Sequence, residues 1–208
     1  GTSPVTTGKI SGGGTISGPG TGGTNVEFTG DWSFNGTLSG YVSFYFDSSQ
    51  DQNTAGATVA FPRNLFIQKT GGTVYFPVTP TWTSYFHIIG TGTVCYNGGA
   101  QSVAVPQDTT YHYDNLTLAG SGSKTISTSG IVVDGVLSME GTATASAAPT
   151  YGASATLQYN RTASQAAGSE WITPFAATGG VIIANTGTIT LNAAKVVNAP
   201  LTINSGAT

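Results

Sequence analysis

The sequence predicts an all-β chain wound as a right-handed parallel β-helix, a β-solenoid with irregular turns. Three observations predict it: short alternating apolar runs recur along the chain, glycine-rich turns separate them, and the order of these parts repeats. No segment carries apolar residues at i, i+3, i+4 and i+7 over a useful length, so helix is nearly absent. Short strands with glycine turns would also suit β-sandwich repeats, and that alternative stays open. Self-similar units that cannot bury their own apolar face must stack on their neighbours, which favours the coil.

The clearest unit is Tyr113-Asp-Asn-Leu-Thr-Leu-Ala-Gly-Ser-Gly-Ser-Lys-Thr-Ile-Ser127, in which Leu116 and Leu118 alternate with Thr117 at the period of a strand before a glycine turn. The same order of parts returns upstream in Asn64-Leu-Phe-Ile-Gln-Lys-Thr-Gly-Gly-Thr-Val-Tyr-Phe76 and downstream in Val181-Ile-Ile-Ala-Asn-Thr-Gly-Thr-Ile-Thr-Leu191. Flanking signals recur too: Thr93-Val-Cys-Tyr-Asn-Gly-Gly-Ala-Gln101 is answered by residues 155–165, and Ile131-Val-Val-Asp-Gly-Val-Leu-Ser-Met139 by residues 195–203. The repeat, roughly 50 to 65 residues, divides into about three turns of some 20 residues each.

Taken in order, residues 1–24 are a Gly/Thr/Ser-rich lead-in or the end of a preceding coil, with short alternating pieces at Lys9-Ile-Ser and Thr15-Ile-Ser. Residues 25–208 form one continuous solenoid with internal repeats at about 43–92, 93–154 and 155–208, expected to be a piece of a longer protein cut within the pattern. Strands are expected at 25–28, 32–34, 41–46, 57–61, 64–67, 73–78 and 85–89, with turns at Asn35-Gly36, Gly71-Gly72 and Gly90-Thr-Gly92. Leu116, Leu118, Ile126, Val133, Leu137 and Met139 should be core, with Thr and Ser pointing outward. Asn64, Asn97, Asn115, Asn160, Asn185 and Asn198 fall at corners, where an amide can form a turn or ladder with its copy in the next turn.

Composition excludes several functions. Charged residues make up 7% of 208, against about 25% in typical domains, and the net charge is −3. No basic surface exists to neutralise phosphates, so nucleic acid is not an expected partner. No apolar run approaches the 18 or so residues of a membrane helix, so membrane insertion is not expected. With hydrophobic residues at 38% and aromatics at 10%, the chain has enough apolar material to fold. Cys95 is the single cysteine; at an interior strand position it reads as a small buried hydrophobe.

The motif Tyr113-x-Asn-Leu-Thr-Leu-x-Gly-x-Gly-x-Lys-Thr-Ile, preceded by Thr-Val-x-Tyr-Asn-Gly-x-x-Gln and followed by Leu-Thr-Ile-Asn-Ser-Gly-Ala-Thr, resembles the repeat regions of giant surface adhesins of Bacteroidetes-type bacteria. Proteins of that group, gliding-motility adhesins among them, leave the cell by the type IX secretion route. The resemblance covers about residues 43–208 and breaks at 48–58 and 170–175. It implies export, display on the bacterial cell surface and work as a stalk or filament, and it carries over no catalytic residues.

Few residues suggest chemistry. Asp108, His112 and Asp114 form the densest polar group, but no nucleophile-elbow serine or H-E-x-x-H spacing accompanies them, so no enzyme activity, catalytic residue, metal or cofactor is expected. Asp47-Ser-Ser-Gln-Asp-Gln-Asn53 offers three oxygen ligands without the spacing of a calcium loop. Trp82 and Trp171 are the candidates for ligand contact, because an exposed indole can stack on a sugar ring and Trp171 lies in the loop that breaks the repeat. The leading expectation is a non-enzymatic structural stalk segment of a large extracellular adhesin or filament. Its expected partners are extracellular polysaccharide or a solid surface, other copies of the chain, and flanking repeats of the parent protein. The alternatives are a carbohydrate-binding module or degenerate polysaccharide-acting β-helix, and, third, an ice-binding surface suggested by Thr186, Thr188 and Thr190 on one strand face.

Overall fold

A computed structural model describes residues 5–55, 59–184 and 186–207. The chain is a β-solenoid: short strands stack in parallel, and no helix occurs among the described residues. Paired residues are offset by one coil, from 18 positions at Thr24↔Val42 to 24 at Thr156↔Gly180. The coil therefore tolerates unequal corners while its strands keep register. Two compact units divide the chain, Gly1–Val94 with Ala104–Tyr111, and Cys95–Val103 with His112–Thr208.

In the first unit, strands Val5–Thr7, Thr24–Phe28, Val42–Phe46, Asn64–Lys69 and Phe86–Gly90 lie side by side in that order. The Gly-rich opening is coiled as well, since Ile10–Gly12 pairs with Trp32–Phe34 and Thr15–Ser17 with Thr37–Ser39. The expected strand at 57–61 is seen as Ala60–Phe61; its residues 57 and 58 lie outside the described residues. Period-two alternation sends one set of side chains inward, and parallel register turns that set into rows. Val26, Phe44, Leu65 and Phe86 form one row, and Phe28, Phe46, Ile67 and Ile88 the next, all of them buried. Aromatic rings from the other sides fill the space between: Trp32 meets Phe44 edge-on at 5.3 Å, and Phe46 meets Phe76 at 5.6 Å.

In the second unit, Asn115–Leu118, Val136–Met139, Thr156–Tyr159, Gly180–Ile183 and Leu201–Ile203 stack in order. A second side carries Gln101–Ser102, Ser123–Thr125 and Thr144–Ala145, and a third pairs Val132–Val133 with Thr150–Tyr151. The rows are Leu116, Leu137, Leu157, Val181, Leu201 and Leu118, Met139, Tyr159, Ile183, Ile203, buried as far as the strand Gly180–Ile183, while Leu201 and Ile203 of the last strand are exposed. All six residues expected in the core, Leu116, Leu118, Ile126, Val133, Leu137 and Met139, are buried. Thr117 and Ser138 lie on the outer face as expected, yet they are only 9% and 6% exposed. They are mutual neighbours in the stack, and the longer Gln158 stands in register beside Ser138, so a short side chain there is covered.

The corners are held by polar side chains. Asp31, Asp51, Asn64 and Asn115 each accept a backbone N–H from the next coil, at Asn53, Thr73, Tyr85 and Val136 respectively. Ser164 and Thr173 do the same for Thr188 and Val196. Of the corner asparagines, Asn64 and Asn115 thus brace one coil to the next through backbone, and Asn64 Nδ2 donates to Ser43 Oγ. Asn185 lies outside the described residues. Glycine is required where coils touch. A side chain at Gly90, φ +99°, would collide with the carbonyl of Lys69, and one at Gly120, φ +70°, with the carbonyls of Asn97 and Gly98.

Each unit also buries a lysine that, among the described residues, has no carboxylate partner. Lys69 Nζ donates to Gln50 O at 2.8 Å and Gln52 Oε1 at 3.0 Å, while Gln52 Nε2 reaches back to Phe28 O and Gly30 O. Lys124 Nζ repeats the arrangement on Gly98 O, Gly99 O and Gln101 Oε1. An ammonium is a compact source of three donors, and here it satisfies turn carbonyls that no strand can reach. Burial lowers the Lys69 pKa to about 8, against the pull of Asp51 and Asp47, and lowers that of Lys124 as well.

Phe44→Ala should cost about 3–5 kcal/mol in urea unfolding, while Phe66→Ala, on the outer face of the adjacent strand, should cost less than about 1.5 kcal/mol. Equal losses would contradict the assignment of faces. Between about 8 and the ordinary value of 10.5, the unfolded chain keeps a proton on Lys69 that the folded chain has released, so this group makes stability rise with pH in that window. The stability of wild type minus that of Lys69→Met should therefore grow from pH 8 upward. A difference that is flat across the window would show that Lys69 is not desolvated.

Candidate functional site on the outer face of the first unit

Alternation that sends Phe44, Leu65 and Phe86 inward sends their neighbours out. Register aligns Glu27, Tyr45, Phe66 and His87 in one outward row, and Asn25, Ser43, Asn64 and Tyr85 in the next. The rings stack on one another. Tyr45 and Phe66 are stacked 4.3 Å apart with their planes nearly parallel at 5°, Phe66 meets His87 edge-on at 5.2 Å, and Tyr111 stacks on His87 at 4.0 Å. Burial raises the Tyr45 pKa, helped by the nearby Glu27 carboxylate, and burial lowers that of His87 against the pull of Asp108. The imidazole is therefore held in its neutral form near neutral pH.

Beside the row is a polar cleft of about 290 Å³, lined by Gly22, Gly23, Asn25, Ser43, Tyr45, Arg63 and Asn64. The Arg63 guanidinium lies over the Tyr41 ring, 4.4 Å from its centre, a cation–π contact. Gly23 lies beside it: a Cβ there would stand 3.4 Å from Arg63 Nη1, an ordinary contact. Among the described residues Arg63 has no ion pair. The arrangement offers a guanidinium, two amides, a hydroxyl and a half-buried phenol to a ligand.

The residues singled out from sequence are placed elsewhere. Trp82 is half-buried, its ring stacked on Phe86 at 4.7 Å and 28°. Trp171 is 4% exposed and packs 5.8 Å from the Tyr159 ring, so its face is not offered to solvent. Its loop is pinned inward by buried Glu170, whose carboxylate accepts from Tyr159 Oη and Gly168 N, each at 2.7 Å. Trp171 instead walls an apolar hollow of about 140 Å³ with Ile183, Ile189, Leu191, Leu201 and Ile203.

Asp108 belongs to the first unit, and His112 and Asp114 to the second. Asp108 caps its own turn, and two hydrogen bonds from Thr110 lower its pKa. His112 Nδ1 lies 2.8 Å from Asp134 Oδ2, while burial raises the pKa of Asp114, which accepts from Asn115 Nδ2. Of the Asp47–Asn53 oxygens, Asp51 braces Thr73. Among the described residues, no group of three or more His, Cys, Asp or Glu could hold a metal ion. Thr190 has Ala166, not a second threonine, beside it in the stack.

Sequence inspection missed the outward row and the cleft. The available signal was the recurrence of Tyr45, Phe66 and His87, 21 residues apart, at equivalent positions of successive strands.

Cys95 is 3% exposed, and burial pushes its thiol pKa up to about 12. Since only the thiolate is nucleophilic, iodoacetamide at pH 8 should label the folded chain at least about 100-fold more slowly than the urea-unfolded chain. Comparable rates would place Cys95 outside the core.

Compared with known proteins, the chain matches no family model, no curated protein and no solved structure.

Proposed function

We propose that this chain is a structural stalk segment of a large extracellular adhesin or filament and that it performs no reaction. The observation that carries the proposal is the coil-to-coil bracing: parallel strand ladders are reinforced at the corners by Asp31, Asp51, Asn64, Asn115, Ser164 and Thr173, and by the buried ammonium groups of Lys69 and Lys124. Each coil is tied to the next by bonds that all lengthen when coils are drawn apart, a construction suited to bearing load.

The resemblance of residues 43–208 to gliding-motility adhesin repeats supports the rest of the proposal: type IX secretion and residence on the bacterial cell surface. A chain with only 7% charged residues suits long-lived contact with a polar exterior. Extracellular polysaccharide or a solid surface, flanking repeats and other copies of the chain are the partners this role requires.

Single-molecule stretching between the chain ends tests it. A nearest-neighbour stack should yield coil by coil, each step releasing roughly 70 Å of contour for some 20 residues. Asn115→Ala should lower the force of the corresponding step. Extension at low force without resolvable steps would exclude a load-bearing role.

A further inference from the structure

We propose that the cleft formed by Gly22, Gly23, Asn25, Ser43, Tyr45, Arg63 and Asn64 binds a carboxylated sugar unit of an extended acidic polysaccharide. The inference adds a site and a ligand class to the reading that polysaccharide is a partner of this chain.

The argument starts from Arg63. A guanidinium presents a planar fork of N–H donors that matches a carboxylate, and this one rests over the Tyr41 ring, 4.4 Å from its centre. Among the described residues no carboxylate is paired with it. The remaining lining is what the hydroxyls of a sugar require. Asn25 is exposed, and the Asn64 amide is oriented by its bonds to Ser43 Oγ and Tyr85 N. The Tyr45 ring supplies an apolar wall against which C–H groups can pack.

The volume of about 290 Å³ sits at the small end of ligand pockets and suits a single sugar unit rather than a folded partner. The polymer is inferred from what lies alongside: the outward rows Asn25–Ser43–Asn64–Tyr85 and Tyr45–Phe66–His87 run from coil to coil away from the cleft and offer successive units polar groups and ring edges. The rings stack on each other, so the row presents edges, and the anchoring contact falls to Arg63. Glu27, next to Tyr45, is the acidic group of this face closest in the row. Its carboxylate stands beside a cleft-lining residue and opposes an acidic ligand, so binding must rest on the short-range fork of Arg63.

Calorimetric titration of the full chain tests the proposal, with oligogalacturonate as the acidic probe, its methyl ester as the neutral one, and free galacturonate as the single unit. Oligogalacturonate should bind, and both Arg63→Gln and methyl esterification should weaken binding at least about 10-fold, the loss expected for a hydrogen bond to a charged group. Free galacturonate should bind more weakly than the oligomer and also depend on Arg63. Asn25→Leu, at an exposed strand position, should weaken binding several-fold and serves if Arg63→Gln fails to fold. The proposal is overturned if oligogalacturonate does not bind, if the ester binds equally well, or if folded Arg63→Gln or Asn25→Leu chains bind as the wild type does. Free galacturonate equal in affinity to the oligomer would overturn the polymer. These outcomes are separable from the stretching experiment, because Arg63 is bonded to the next coil through its backbone carbonyl, which Arg63→Gln retains.

Discussion

The structure depends on one constraint: every coil must find its backbone partners in the coils beside it. A strand of two to six residues has no hydrogen bonds of its own, and buried unpaired N–H and C=O groups are costly. Parallel pairing between coils satisfies them only if equivalent strands are aligned. Alignment then dictates the rest. It turns the alternation of each strand into rows, so that Leu116 must lie on Leu137 and Leu137 on Leu157, and a single polar residue in a row would disturb two neighbours. It also confines length variation to corners, where offsets of 18 and 24 residues both occur without loss of register.

Corners are where the ladder fails to supply partners, and the chain meets that deficit with short polar side chains and buried cations. Lysine beside glutamine, without a carboxylate, is an unusual interior choice. Burying the ammonium is unfavourable, as the lowered pKa of Lys69 records, but leaving the carbonyls of the turn dry would also be unfavourable. Arg161 and Gln165 extend the theme, both donating to the carbonyl of Ala143. The same logic explains Glu170, which draws the irregular loop around Trp171 inward through Tyr159 and Gly168.

Much of the fold was legible because its logic is periodic. Alternating triplets such as Leu116-Thr-Leu118 identify strands, their recurrence identifies stacking, and the six residues expected in the core are buried. The corner chemistry was legible only as residue type. Asparagine at a corner is visible in sequence, but that its carbonyl oxygen accepts a backbone N–H some 21 residues on, as Asn115 does from Val136, depends on register. Thr117 and Ser138 were expected outside and are covered, because exposure on an outer face is set by neighbours in other coils.

The candidate site was less legible for a related reason. Tryptophan is the residue that sequence inspection favours for sugar contact, yet Trp171 went to the core, whereas the outward row is made of Tyr45, Phe66 and His87, each ordinary by itself. Arg63 gains meaning only from Tyr41 beneath it. Isolated residues carry no such information; the stacking of coils creates it.

Nuclear Overhauser spectroscopy on isotope-labelled protein would test the stacking most directly. Parallel coils predict close amide-to-α-proton contacts between strands 20 to 24 residues apart in constant register, linking Leu116 with Leu137, Leu137 with Leu157, and Leu157 with Val181. Short α-proton to α-proton contacts across antiparallel pairs, the pattern of a β-sandwich, would contradict the coil and everything inferred from its register.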